Sequence, residues 1–570
     1  VDYCLGVGGI GVKDLDHVVF YERPMVKFER MLETFMAFAP GGFNSFRRAM
    51  PTWANSKLQL PATIVEALGD EFRGELAFTN HHESHAASAF YPSPFEEAAI
   101  LTLDAVGEWG TSSIAAGNGN RITTLHEMRF PHSLGMLYSA FTAYTGFKVN
   151  SGEYKLMGLA PYGEPRYSQK ILDNLVEIKD DGSLWMDMSY FNYCQGSTMT
   201  SEKFHDLFGG PPRRPESAIE QKHMDLAASI QVVCERVVLS AARYARQCTS
   251  FDNLVMAGGV ALNCVANGRI LRECDFKNLW IQPAAGDAGG ALGAALLVWH
   301  QHLDKPRTPH ESDAQRGSLL GPEFSNDEIR LLLDSMGASY EYIEDSDVLD
   351  DRVARLMDEE NVIGWFQGKM EFGPRALGSR SIIGDARSTK MQQTMNLKIK
   401  YRESFRPFAP CVLKEHVHEI FEMRPDEDSP YMLLVAPVQS DQRLELSEED
   451  RALMNDSDLH VRVSVARSTL PAITHVDYSA RIQTVDTVRH RRLHRLMSRF
   501  NDLTSCPVIV NTSFNIRGEP IVCTPEEAYR CFVSTDMDCL VLENCILLKS
   551  EQAMGLLQDA EQYKASYKLD

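Results

Sequence analysis

The stretch Glu75-Leu76-Ala77-Phe78-Thr79-Asn80-His81-His82-Glu83-Ser84-His85 decides how the first half of this 570-residue chain is read. Its first four residues are a short apolar run that reads as a strand, and a helical pattern follows over 82–90. Asn80 is placed to cap that helix, and Glu83 stands three residues on, the spacing of a capping box. His81 and His85 then lie one turn apart on one face, where two imidazoles can meet one metal ion. A structural or capping role is the alternative for such an isolated pair.

Working outward, the alternation of strand and helix recurs. Runs at 98–103, 254–257 and 279–281 read as strands, and 222–247 and 291–301 as helices, which implies an α/β domain. Ala285-Gly286-Asp287-Ala288-Gly289-Gly290 follows the strand at 279–281 and opens a helix. Ligands of open α/β sheets sit beyond the carboxyl ends of strands, which puts Asp287 and the histidine helix at the same end. Two His and one Asp leave coordination positions open, as a catalytic metal requires. An ordinary helix N-cap is the competing reading of Asp287. Two glycine turns share that end. Leu103-Asp104-Ala105-Val106-Gly107-Glu108-Trp109-Gly110-Thr111 leads from one strand into another, with Asp104 able to bind a metal or orient water. Met256-Ala257-Gly258-Gly259-Val260-Ala261-Leu262-Asn263 joins a strand to a helix and sets small residues where a nucleotide would lie. Neither turn matches a Walker A or dinucleotide fingerprint.

A polar run at 303–324, with Pro306, Pro309 and Pro322, reads as a linker between a domain at 1–310 and a second at 320–570. The second opens with a strand at 362–366 and carries others at 508–510 and 538–542. Between Lys369 and Arg406 stand nine Lys or Arg against the three acids Glu371, Asp385 and Glu403. A charge run is ordinarily a solvated face. Here Gly373-Pro374-Arg375-Ala376-Leu377-Gly378 and Phe405-Arg406-Pro407-Phe408-Ala409-Pro410 fix arginines among Gly, Pro and aromatic residues, which suits bidentate binding of phosphate or carboxylate. Asn511-Thr512-Ser513-Phe514-Asn515 adds amide and hydroxyl groups. A site for small-molecule phosphates is expected.

Composition narrows the class. An apolar fraction of 44% with 24% charged residues is that of an ordinary globular protein. No run reaches the roughly 18 apolar residues of a membrane span, and the first residues lack a signal-peptide pattern. Twelve cysteines with no CxxC pair argue for reduced thiols and a cytoplasmic location. A net charge of −21 argues against nucleic-acid or anionic-membrane binding.

Five segments together resemble the O-carbamoyltransferase family that includes nodulation protein U, cephalosporin carbamoyltransferase and the antibiotic-tailoring carbamoyltransferases. They are the histidine helix from His81 to Ala89, Glu153-Tyr154-Lys155-Leu156-Met157-Gly158-Leu159-Ala160-Pro161-Tyr162-Gly163, the segment from Gly373 to Gly378, that from Arg402 to Pro410, and that from Asn511 to Asn515. The resemblance implies an N-terminal domain of the actin/hexokinase ATPase superfold, like that of threonylcarbamoyl transferases. It implies a C-terminal domain similar to threonylcarbamoyl-adenylate synthase. That domain would condense carbamoyl phosphate with ATP to carbamoyl-adenylate, and the first would pass carbamoyl to a hydroxyl of a sugar or natural product. A lipo-chitooligosaccharide nodulation factor is the acceptor first expected.

The resemblance also assigns residues. His81, His85, Asp104 and Asp287 match metal ligands, with Fe2+ the expected ion. Arg375, Lys400, Arg406, Arg481, Asn511 and Ser513 match the adenylate-forming site, where Lys400 and Arg375 are the expected catalytic groups. Gly135, Lys155, Gly258, Gly259 and Asn263 fall on the nucleotide side of the transfer site, and His82 is a candidate general base. The family normally opens with a hairpin carrying a His-Asp pair. This sequence begins beyond it, at Val1, and a truncated start is the expectation. A tRNA-modifying carbamoyltransferase, a sugar kinase of the same superfold and a binding protein without activity stay open as alternatives. So does homo-oligomerisation.

Overall fold

The computed structural model describes residues 1–402, 405–556 and 560–567. Glu403, counted above among the acids of the basic segment, lies outside them. The chain forms two compact mixed α/β units, Val1–Ala314 and Gln315–Asp570, divided inside the proline-bearing run expected to be a linker.

In the first unit the strands are β1 (His17–Phe20), β2 (Glu75–Phe78), β3 (Glu97–Leu103), β4 (Gly110–Asn118) and β5 (Arg121–Arg129). A short hairpin, β6 (Val176–Ile178) and β7 (Leu184–Met186), precedes β8 (Asn253–Ala257) and β9 (Asn278–Ile281). β1 and β2 pair in parallel. A five-stranded sheet runs β5-β4-β3-β8-β9. Its first three strands are antiparallel, whereas β8 and β9 run parallel to β3. Six of the seven residues of β3 are buried, so this strand reads as a continuous apolar run.

The carboxyl ends of β1, β2, β3, β8 and β9 lead into Glu22, His81, Asp104, Gly258 and Asp287 respectively. Every expected ligand of the first unit therefore follows a parallel strand at the end where ligands gather. Helices match their expected places with small shifts: His81–Phe90, Gln221–Thr249 and Ala288–Leu297. Among the described residues no helix is long and apolar enough to cross a membrane.

The histidine helix is almost wholly buried, and small residues let a second helix lie against it. A Cβ on Gly293 of Ala288–Leu297 would fall 1.8 Å from the Ser84 carbonyl oxygen. Backbone thus meets side-chain-free backbone, and Gly293→Ala should force the helices apart. A loss of about 2–4 kcal/mol in urea-unfolding stability is expected.

The second unit holds β10 (Glu341–Tyr342), β11 (Ile363–Phe366), β12 (Arg380–Asp385), β13 (Ala409–Leu413), β14 (Leu434–Pro437), β15 (Ser479–Val485), β16 (Val508–Ser513), β17 (Cys539–Leu542) and β18 (Cys545–Leu548). They form one sheet, β10-β18-β17-β11-β12-β16-β13-β15-β14, in which β11–β17 and β13–β15 are the parallel pairs. Three of these strands were expected from sequence. β12 was concealed inside the basic segment because Arg380 opens it. That arginine is fully buried, donates to the carbonyls of Gln367, Gly368, Ser379 and Pro322, and stacks 3.5 Å from the Phe366 ring. Arg387 is likewise engaged, by Asp385 and Asp358. These two cations, which carry no expected site role, brace the sheet.

Candidate metal centre

His81 and His85 project from consecutive turns of the histidine helix, and their Nε2 atoms lie 3.1 Å apart. Asp104 Oδ2 is 3.0 Å from His81 Nε2 and 3.7 Å from His85 Nε2. Asp287 Oδ1 is 3.6 and 3.8 Å from the same two nitrogens. One atom from each of the four residues falls within 4.8 Å of all the others. Donors bound to one cation at about 2.1 Å stand roughly 3.0–3.4 Å apart, so the residues fit a single ion with little movement. The protein supplies two nitrogens and two oxygens, a set suited to a borderline divalent cation.

Neighbouring groups hold this arrangement. Gly259 N donates to Asp104 Oδ1 at 3.0 Å, which leaves Oδ2 facing the histidines. A Cβ on Gly135 would meet the Asp104 carbonyl at 2.6 Å, and one on Gly258, at φ 90°, the Leu103 carbonyl at 2.2 Å. Glycine at 258 lets its turn close, and glycine at 135 lets the helix Leu134–Tyr144 approach the backbone at Asp104. Asp287 occupies the N-cap position of its helix but makes no side-chain cap bond. The capping alternative for Asp287 therefore fails, and its carboxylate faces the imidazoles instead.

The electrostatics favour positive charge here. Burial works against ionisation of Asp104, yet hydrogen bonds to His81 and His85 outweigh it and hold the carboxyl well below its usual range. Burial also opposes a charge on His81, but Asp104 and Glu22 reverse the balance and raise it to about 9. A field that keeps a proton on a buried imidazole is one that favours a bound cation.

Two acids that sequence reasoning missed complete the surroundings. Glu22 Oε2 lies 3.7 Å from His81 Nδ1 and 2.6 Å from Lys27 Nζ. Although burial works against its charge, His81 and Lys27 bring its carboxyl down to about 2. Its place just past the end of β1 was the signal available. Glu108 accepts from His81 N at 3.0 Å and from Arg23 N at 2.7 Å. It thereby satisfies the N-terminus of the histidine helix in place of the expected capping box. The Asn80 side chain makes no cap bond, and its amide donates to Glu83 at 2.8 Å.

In the second unit, the Lys400 ammonium is ringed by oxygens: the Ser513 carbonyl, Ser513 Oγ at 3.3 Å, the Asn515 carbonyl at 2.9 Å and Asn515 Oδ1 at 2.8 Å. Burial, with Arg402 nearby, pushes its pKa well below the ordinary lysine range. Arg406 is buried, whereas Arg375 and Arg481 are half-buried. Arg481 sits on β15 opposite Val435 of β14. Asn511, expected to touch the adenylate, is fully buried and donates to Gln483 Oε1 at 2.6 Å. It works as a brace between β16 and β15.

Family descriptions match both units: "Carbamoyltransferase N-terminus" over residues 1–296 and "Carbamoyltransferase C-terminus" over 354–549. This chain belongs to the carbamoyltransferase family. An uncharacterized Synechocystis protein is 56% identical across all of this chain and 92% of its own length. Nodulation protein NolNO of Sinorhizobium fredii is 34% identical over 96% of this chain and 74% of its own. The 3'-hydroxymethylcephem-O-carbamoyltransferase of Amycolatopsis lactamdurans is 26% identical over 87% and 85%. T. kodakarensis HypF overlaps 41% of this chain and 38% of its own at 13% identity and a TM-score of 0.23, too low a likeness to bear on the fold.

Other expected residues of the carbamoyltransferase take distinct places. Lys155 is fully buried on the helix Glu153–Leu159. Asn263 accepts from Ala266 N at 3.1 Å and donates to Gln231 at 3.0 Å, so it caps the helix Cys264–Glu273 rather than facing a nucleotide. His82 shares a 3.2 Å hydrogen bond with Ser113, and burial lowers its pKa to about 3. An imidazole so weakly basic is a poor acceptor of a hydroxyl proton, which argues against the general-base role.

Proposed function

We propose that this carbamoyltransferase condenses carbamoyl phosphate with ATP in its second domain, 320–570, taking up one water and releasing phosphate and pyrophosphate, and passes the carbamoyl group of the adenylate to a hydroxyl in its first, 1–310, with AMP released. The observation that carries the reading is the convergence of His81, His85, Asp104 and Asp287, drawn from three separate parts of the chain. The sheet order of the first unit, an antiparallel meander extended by two parallel strands, supports an actin/hexokinase-like nucleotide fold. The second is read as resembling threonylcarbamoyl-adenylate synthase.

A hydroxyl is a weak nucleophile at neutral pH, and a carbamoyl group is stabilised by resonance, so attack needs a good leaving group and a polarised carbonyl. AMP is the leaving group in this reading. A cation held by the four donors, with Fe2+ expected, supplies Lewis-acid polarisation of a carbamoyl or phosphate oxygen. Glu22 at the His81 ring and Glu108 at its backbone N–H keep that histidine oriented towards it. Lys400, Arg375, Arg406, Arg481 and Ser513 neutralise and orient the phosphates during adenylation.

A lipo-chitooligosaccharide is the acceptor we propose, in keeping with relatives named as nodulation proteins. The test is incubation with ATP, carbamoyl phosphate, Fe2+ and a panel of glycans that includes chito-oligosaccharides. A mass gain of one carbamoyl unit, dependent on both ATP and carbamoyl phosphate, is expected. ATP turnover that ignores carbamoyl phosphate, with no carbamoylated product, would overturn the reading in favour of a kinase.

A further inference from the structure

The segment Glu371-Phe372-Gly373-Pro374-Arg375-Ala376-Leu377-Gly378-Ser379-Arg380 connects two strands of the second unit and carries one of the expected phosphate-binding arginines. Its backbone is held in an unusual way. A single carboxylate oxygen, Glu371 Oε1, accepts the N–H groups of Leu377 and Ser379 at 2.7 Å each and of Arg380 at 3.2 Å. Glu371 is itself buried. A buried carboxylate is costly unless its charge is met by donors, and here the donors are all backbone groups of the one loop.

Further ties fix the same loop. Gln483 Nε2 donates to the Leu377 carbonyl at 2.6 Å, and Asn511 Nδ2 reaches the Ala376 carbonyl at 3.4 Å. On the other stem, Phe372 N donates to the Ser318 carbonyl at 2.7 Å, and Ser318 Oγ returns a bond to the Phe372 carbonyl at 2.5 Å. Gly373 at φ 139° and Gly378 at φ 113° take backbone conformations that a side chain would resist. Both stems are thus anchored, and Arg375 stands between them.

We infer that Glu371 is a positioning residue that holds Arg375 ready for the phosphate of the carbamoyl donor. The inference rests on the reading of Arg375 as a donor-binding group. A guanidinium on a loop free to sample many conformations loses order on every binding event. One whose backbone is already fixed delivers its bidentate contact without that loss.

The experiment uses the full-length chain and follows release of pyrophosphate from ATP as a function of carbamoyl phosphate. Glu371→Gln, Arg375→Ala and the double variant are compared. Glutamine keeps the shape but weakens three charge-assisted bonds, so it tests the idea even if Glu371→Ala does not fold. The KM for carbamoyl phosphate should rise on the order of 10- to 100-fold in each single variant. The double variant should be no worse than Arg375→Ala, because positioning is worthless once its object is gone. Effects that multiply in the double variant would overturn the positioning role and leave Glu371 as a purely structural group. An unchanged KM in Glu371→Gln beside a raised one in Arg375→Ala would overturn it equally. Silence of Arg375→Ala would sink the donor-binding reading itself, and the positioning role with it.

Discussion

His85→Ala is expected to lower carbamoyl transfer from pre-made carbamoyl-adenylate by about a thousandfold or more, while formation of carbamoyl-adenylate continues at its normal rate. The variant removes one of two imidazole nitrogens that stand 3.1 Å apart in the four-donor cluster. The remaining nitrogen and two carboxylates form a weaker, less selective site, and the lost polarisation is worth several kcal/mol of barrier. Alanine is the best helix former, so the helix His81–Phe90 should persist with a small void beside it. Circular dichroism should change little while bound iron, measured by elemental analysis, falls. Equal loss of both half-reactions would defeat the assignment of transfer to the first domain.

Lys400→Met should produce the opposite pattern. Adenylate formation is expected to fall by about 10²–10³-fold, while transfer from supplied adenylate survives. Burial disfavours the charge on Lys400, whose Nζ donates to oxygens of Ser513 and Asn515. An entering phosphate favours the protonated form, and the attraction between the two is strong where water is excluded. Methionine preserves the apolar stem and removes the charge, and an unchanged melting temperature would exclude simple unfolding. Loss of transfer alone would refute the assignment.

The first unit was largely legible because its chemistry follows a spacing rule. Two histidines four residues apart on a helix must share a face, and carboxylates after parallel strands must gather at one sheet end. The second unit was not. β12 begins with an arginine, which no hydrophobic pattern marks as buried, and its burial depends on the carbonyls of Gln367, Gly368 and Pro322, supplied by earlier segments. The internal bonds of polar residues were hidden as well. Asn263 and Asn511 are indistinguishable in sequence from other amides, and the internal bond each donates reaches a partner 32 or 28 residues away. Glu108 was equally hidden, since it caps a helix that begins 27 residues before it.

The four donors of the metal centre are unequal in one respect. The side chains of His81 and His85 are 1% exposed and that of Asp104 is 10%, against 60% for Asp287. The cluster therefore has three walls and one doorway. An ion held there, as proposed, would enter and leave past Asp287, so its removal by a chelator should depend on that carboxylate more than on the buried histidines.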